Sequence, residues 1–357
     1  MTARVRSAAE PATTELAART ARGPREHLPA ARRAGPRARL WGAAAFVVVG
    51  LWLLGRPLGY GPAEYLQLLV DGTVTGAVYA LVAVGFAVVY RVTGIINFAQ
   101  GAFVMLGPML TISFFGALGG SGAAALTAAA LAAILLTAGL AMAVHRFTLH
   151  PARSASALTR IIITVGVYIS LQGLALRIWG PRPYVLPAFT TLQMADRLLE
   201  VGGVVLQAQS LWVWGTAVVM VLALAAFFEG TVVGKAMRAC AVNRTAARLM
   251  GIPVDRMATL AFGLAGVLGA VAGIVLAPST RPTYDMGLDL GLKGFVAAIA
   301  GGLVSVPGAV AGGLVLGVLE SLWAGVTVAG FKDLFAFVML ILLLLSRPQG
   351  WLEAGHE

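Results

Sequence analysis

The residues best placed to do chemistry are a few polar groups set inside or between long apolar runs. Asn97 and Gln100 lie in RVTGIINFAQG (91–101), a short glycine-flanked stretch between two apolar segments. Asp71 and Glu320 lie inside apolar segments, each near one end. Ionisable groups there are rare and costly, which makes each a candidate, with hydrogen bonding or snorkelling weighed above a transport role. Neither resembles a proton relay chain. Hydrolytic chemistry finds no support, and no acid, histidine and serine constellation is found. The four histidines are scattered, and the single cysteine, Cys240, permits neither an intrachain disulfide nor a cysteine metal cluster. Gly230–Gly234–Lys235 misses the phosphate-loop pattern: three residues separate the glycines where four are needed, and Ala236 follows the lysine. The chain is expected not to be an enzyme and to hold no cofactor or metal.

The elements carrying these groups follow from composition. Of the 357 residues, 59% are apolar and 11% charged, against about 25% charged in soluble domains. A chain this long with so few charges has lipid for most of its solvent, and in lipid only helices or a closed barrel satisfy the backbone. The apolar runs, about 15 to 25 residues long and without alternation, favour helices. The expected fold is all-α, a polytopic transmembrane helical bundle of about ten segments with one or two broken or half helices. The segments are 40–55, 66–90, 101–118, 123–144, 161–178, 211–228, 257–277, 291–305, 308–326 and 332–346. Segment 291–305 is the weakest, being short, glycine-rich and followed by Pro307.

Charge sets the orientation. With both termini inside, 19 of the 26 lysines and arginines fall in the N-terminal tail, at Arg91, in the 145–160 and 229–256 loops and at the C-terminus. That bias places both termini in the cytoplasm and the 179–210 loop outside. Residues 1–39, with nine arginines and three glutamates, read as a disordered basic cytoplasmic tail and not as a nucleic-acid arm. Residues 40–346 form the membrane domain, and 347–357 a cytoplasmic C-terminal tail.

Two stretches concentrate the information. The break at 91–101 is either a tight inner turn or a broken helix lining a cavity, since irregular backbone at depth must be covered by protein or water. The loop 229–256 places Ala239, Val242, Ala246, Leu249 and Met250 on one stripe of a helix expected over Lys235–Met250, with Arg244 and Arg248 opposite and Arg238 at the flank. Gly251 and Pro253 close that helix. Its stripe of small apolar residues, without Trp or Phe, suits a shallow protein groove better than a lipid surface. The pairs Gly269/Gly273, Gly308/Gly312 and Gly313/Gly317 have the spacing that lets membrane helices approach closely.

The runs GAVYALVAVGFAVVYRVTGIINFAQGAFVMLG, GKAMRACAVNRTAARLMGIPVDR and GLKGFVAAIAGGLVSVPGAVAGGLVLGVLE, with the closing SRPQGWLE, resemble the bacterial branched-chain amino acid permeases over about 66–352. These are membrane subunits of ABC importers. The resemblance implies a bacterial inner-membrane permease that forms the translocation path for branched-chain amino acids or related small polar solutes such as urea and amides. It implies as partners a second homologous permease, two ATP-binding cassette subunits, an extracytoplasmic solute-binding protein and membrane lipid. It carries Gly94, Asn97, Phe98, Ala99 and Gly101 onto the family's first motif, with Gln100 where the family commonly has His. Pro108 departs from the usual small residue. The path candidates are thus Gly94, Asn97, Phe98, Gln100 and Gly101, and the ATPase-coupling candidates Ala239, Val242, Arg244, Ala246, Arg248, Leu249 and Gly251. An ion-driven secondary transporter would need intramembrane carboxylates or a midplane ion site, and a membrane enzyme a catalytic constellation.

Overall fold

The computed structural model describes residues 61–190, 199–201, 203–327 and 334–339, with positions 59 and 341, all in one compact unit spanning 53–357. The helices are α1 (Pro62–Thr93), α2 (Gln100–Ala117), α3 (Ala123–Val144), α4 (Ala157–Trp179), α5 (Ala208–Gly230), α6 (Val232–Val242), α7 (Arg244–Leu249), α8 (Val254–Leu276), α9 (Met286–Gly301) and α10 (Val306–Val326). A π-helical turn, His145–Leu149, extends α3. A short antiparallel hairpin, β1 (Leu199–Val201) and β2 (Val204–Leu206), lies in the 179–210 loop.

Seven of these helices are long and apolar enough to cross a membrane: α1, α2, α3 with its π turn, α4, α5, α8 and α10. They correspond to seven of the ten expected segments. Segment 40–55 lies outside the described residues, as does most of 332–346, so the count of ten is not confirmed. The tails 1–39 and 347–357 also lie outside them. Segment 291–305 becomes α9, which starts at Met286 and ends at Gly301. Its 16 residues rise about 24 Å, short of a hydrocarbon core of about 30 Å. Pro307 opens α10 at its first turn, where a missing N–H costs no hydrogen bond.

Helices α1 and α8 are mostly buried, while α4 and α5 expose most of their length. Glycine decides what lies in the middle. The face of α1 with Gly72 and Gly76 meets Gly313 and Gly317 of α10 so closely that a Cβ on Gly76 would sit 2.9 Å from the Leu314 Cα. Gly308 and Gly312 receive α9 at Gly301 and Ala297. Gly269 and Gly273 of α8 receive α2 at Phe103 and Val104. Each sequence-identified pair thus faces a different neighbour, and helix association in lipid rests on such close packing. Pro108 stays inside α2. It leaves the Val104 carbonyl without its helical donor, and that oxygen occupies the space a Cβ on Gly273 would take.

The single helix expected over Lys235–Met250 is instead two. Asn243 is extended (φ −154°, ψ 108°), and its side chain accepts a 3.0 Å hydrogen bond from the Ala246 N–H, capping α7. A short amide side chain that competes for backbone N–H groups favours a cap over a helix interior. Gly251 (φ +83°) closes α7 as expected, with Ile252 N–H donating to the Ala247 carbonyl at 3.0 Å.

Candidate functional site

Helix α1 stops at Gly94 (φ +61°), where a left-handed conformation suits glycine. The chain then doubles back. Gln100, the first residue of α2, packs against Gly85, nine residues or about 13 Å before Gly94 along α1. Residues 95–99 therefore run beside the last turns of α1 as irregular backbone covered by protein, and not as a tight turn. Phe98 N–H donates to Thr164 Oγ1 of α4 at 3.1 Å, and Ala99 N–H to Asn97 Oδ1 at 3.2 Å.

Both amides of the break are buried, Asn97 at 1% exposure and Gln100 at 0%. Gln100 Nε2 donates to the Ala265 carbonyl of α8 at 3.0 Å. Its side chain passes between Gly85 of α1 and Gly269 of α8, and a Cβ on Gly85 would strike it. Gly101 lies against Gly287 and Gly291 of α9, with no room for a side chain. These two residues join helices. Asn97 Nδ2 is buried without a hydrogen-bond partner. Phe98, half-buried, packs with Phe295 of α9 at 5.2 Å and Phe86 of α1 at 6.5 Å between ring centroids. Asn97 and Phe98 thus stand apart from the helix seams that Gln100 and Gly101 fill.

The loop helices invert the usual rule. Their seat on the bundle is made by Gly234, Met237, Cys240 and Ala247. The stripe read from the sequence points away: Ala239 and Ala246 are exposed, and Val242, Leu249 and Met250 are 88%, 83% and 81% exposed. Arg248 is exposed as expected. Arg244 is not. It turns toward the bundle until a Cβ on Gly94 would lie 2.9 Å from its Nη2. Burial holds its guanidinium below the usual pKa, and nearby Arg160 adds to this against the opposing pull of Cys240 and Tyr90. Burial pushes the Cys240 thiol up. The expected solvent position of Arg244 fails because the kink at Asn243 rotates the start of α7 relative to α6.

A buried ion pair was not foreseen. Lys293 of α9 (2% exposed) lies 3.0 Å from Glu320 Oε1 of α10 (0%) and 3.1 Å from Asp289 Oδ2 one turn earlier. Its ammonium also lies 5.9 Å from the centre of the Tyr79 ring. Glu320 is therefore held by an ion pair inside the bundle. The available signal was two opposite charges in adjacent apolar segments. Asp71 is exposed and accepts from Gln67 Nε2 at 3.0 Å, beside a cleft of about 280 Å³ lined by Thr75 and Ser321. No group of three or more metal-ligating side chains occurs among the described residues.

Residues 68–346 match the family described as branched-chain amino acid transport system / permease component. The high-affinity branched-chain amino acid transport system permease protein LivH of Salmonella typhimurium is 33% identical over 291 residues, covering 80% of this chain and 94% of its own. The high-affinity branched-chain amino acid transport system permease protein BraD of Pseudomonas aeruginosa is 32% identical over 292 residues, covering 80% of this chain and 95% of its own. The solved structure of PsaBC from Streptococcus pneumoniae in complex with Fab aligns at a TM-score of 0.41 and 16% identity, over 82% of this chain and 94% of that one, a likeness too loose to carry detail.

Proposed function

This chain belongs to the family of branched-chain amino acid transport system permease components, and from that premise we propose that it is the permease subunit of an ABC importer. It is a multi-pass membrane protein whose family works with ATPase and solute-binding partners. In our reading it forms the translocation path for branched-chain amino acids or related small polar solutes. It pairs with a second homologous permease and two ATPase subunits, takes substrate from an extracytoplasmic binding protein, and hydrolyses nothing itself. The observation that carries this is the reach of the family match, from inside α1 to residue 346, over the break and the loop helices alike.

Within that reading the roles divide. Asn97, with a buried amide nitrogen lacking a partner, and Phe98 in its aromatic trio are the residues of the break placed to meet a passing solute. Gln100 and Gly101 hold the helices around them, and Gly94 sets the reversal. The exposed face of Ala239, Val242, Ala246, Leu249 and Met250 docks on an ATPase subunit, since a water-facing apolar stripe of small residues suits a protein groove. Arg248 lies at its rim and Gly251 closes it. The arginine bias places both termini and this loop in the cytoplasm.

Purification of the tagged chain from its native membrane, with uptake of labelled leucine, isoleucine and valine in cells lacking it, tests the proposal. The expected result is a co-purifying ATPase bearing a Walker motif and loss of ATP-dependent uptake. Uptake driven by an ion gradient in reconstituted vesicles without any ATPase would overturn it.

A further inference from the structure

Four arginines from four elements converge at the end of the bundle where the loop helices sit. Arg91 lies in the last turn of α1, Arg160 in the first turn of α4, Arg238 on α6 and Arg244 at the start of α7. All four are half-buried. Arg244 reaches the end of α1 at Gly94 and stands in the field of Arg160, while Arg91 stands in the field of Arg238. Among the described residues none of the four pairs with a carboxylate, and Asp255, the acid on the neighbouring helix start, faces His150 and Arg153 instead. The Nε atoms of Arg91 and Arg160 are fully buried and lack hydrogen-bond partners. Like charges crowded together, with buried donors unspent, are costly unless an anion sits among them.

The surroundings say which anion. Arg91 and Arg160 lie at the ends of two apolar helices, the level at which lipid phosphates sit. On the face opposite Arg160, α4 exposes an aliphatic stripe of Leu158, Ile162, Val165 and Ile169, the side that faces acyl chains. A helix that borders lipid on one side thus carries Arg160 on the other, among the guanidinium groups. Basic pockets between membrane helices bind anionic headgroups on this principle. We infer that Arg91, Arg160, Arg238 and Arg244 form a binding site for the phosphate of an anionic phospholipid.

The site joins the ends of α1 and α4 to both loop helices, so a bound headgroup fastens the loop pair to the bundle at the break. The test is native mass spectrometry of the full-length chain in detergent. It is titrated with phosphatidylglycerol, with phosphatidylcholine of the same acyl chains, and with inorganic phosphate. Phosphatidylglycerol should be retained in preference to phosphatidylcholine, and its retention should fall with salt. Arg91→Gln with Arg244→Gln should weaken it about 25-fold, roughly fivefold per arginine. Arg182→Gln, at the exposed start of the other long loop, should leave it unchanged. Should the double variant not fold, the paired lysine variants and the salt dependence of the unaltered chain carry the test, with retention kept in the first and lost with salt in the second. Equal retention of both lipids overturns the inference. So does inorganic phosphate binding as tightly as lipid, which would make the ligand a soluble anion. Loss of a co-purifying ATPase with lipid binding intact also overturns it, since the arginines would then meet an acidic protein surface.

Discussion

The break at 94–101 and the loop at 229–256 both violate the ordinary partition of residues, in opposite senses. The break buries amides in an apolar bundle, and the loop holds apolar side chains out in the open. The first violation resolves within the chain only in part: Gln100 Nε2 has the Ala265 carbonyl, with two glycines shaped around the side chain, while Gln100 Oε1 and Asn97 Nδ2 are buried without a hydrogen-bond partner. The second does not. Val242, Leu249 and Met250 touch little, while the same two helices already use another face to sit on the bundle. A buried polar group with internal partners is architecture, whereas an exposed apolar face beside a completed seat points to another molecule.

The largest expected effect lies on the architectural side. Gly101→Leu would drive a side chain into the Gly287 backbone, and no monodisperse protein should survive detergent extraction and size-exclusion chromatography. Lys293→Met should follow, costing about 3–5 kcal/mol in thermal or denaturant unfolding because it removes the cation from beside a buried carboxylate. Adding Glu320→Leu should recover much of that loss, and no recovery would mean the pair does not act as one unit. On the loop, Ala246→Trp should leave unfolding unchanged yet weaken ATPase co-purification about 5- to 100-fold, the scale of overpacking a docked face. A helix lying on lipid would gain from the same change. The contrast between the two faces of the loop can be read by thiol chemistry. Cys240, buried with its thiol pushed up, holds less thiolate at pH 8, so a maleimide should modify it at least about tenfold more slowly than a cysteine at Leu249→Cys. An impermeant reagent should reach the latter from the cytoplasmic side alone. Arg248→Ala should have the smallest effect, at most about a fivefold, salt-sensitive loss of ATPase retention.

Much of this was legible in the sequence. Apolar run length located seven spanning helices because each is long enough to show its character without its neighbours. The five residues of the loop stripe are all exposed, but the single helix drawn through them is two. Nothing in the 3.6-residue pattern marks Asn243 as a cap, since asparagine is tolerated in helices and its capping hydrogen bond appears only once the chain turns. Lys293 and Glu320, 27 positions apart, become partners only when α9 and α10 pack. Arg244 read as solvent-facing because a single straight helix would have carried it there. What escaped was set by tertiary geometry acting on side chains whose type permits several environments.

Helix α1 has a mechanical consequence. Asp71 and Arg91 are twenty residues apart, about 30 Å, which is one hydrocarbon thickness. The first turns of α1 therefore extend past that layer, where Gln67 grips the hairpin by giving a hydrogen bond to the Val205 carbonyl at 3.1 Å and taking one from its N–H at 2.8 Å. At the far end, Gly94 bears on Arg244. With no proline after its first residue, the 32-residue helix is a rod of about 48 Å with a fitting at each tip. Pivoting at its middle by about 5° would swing each tip about 2 Å, in opposite directions, so the hairpin and the loop helices answer to the same lever.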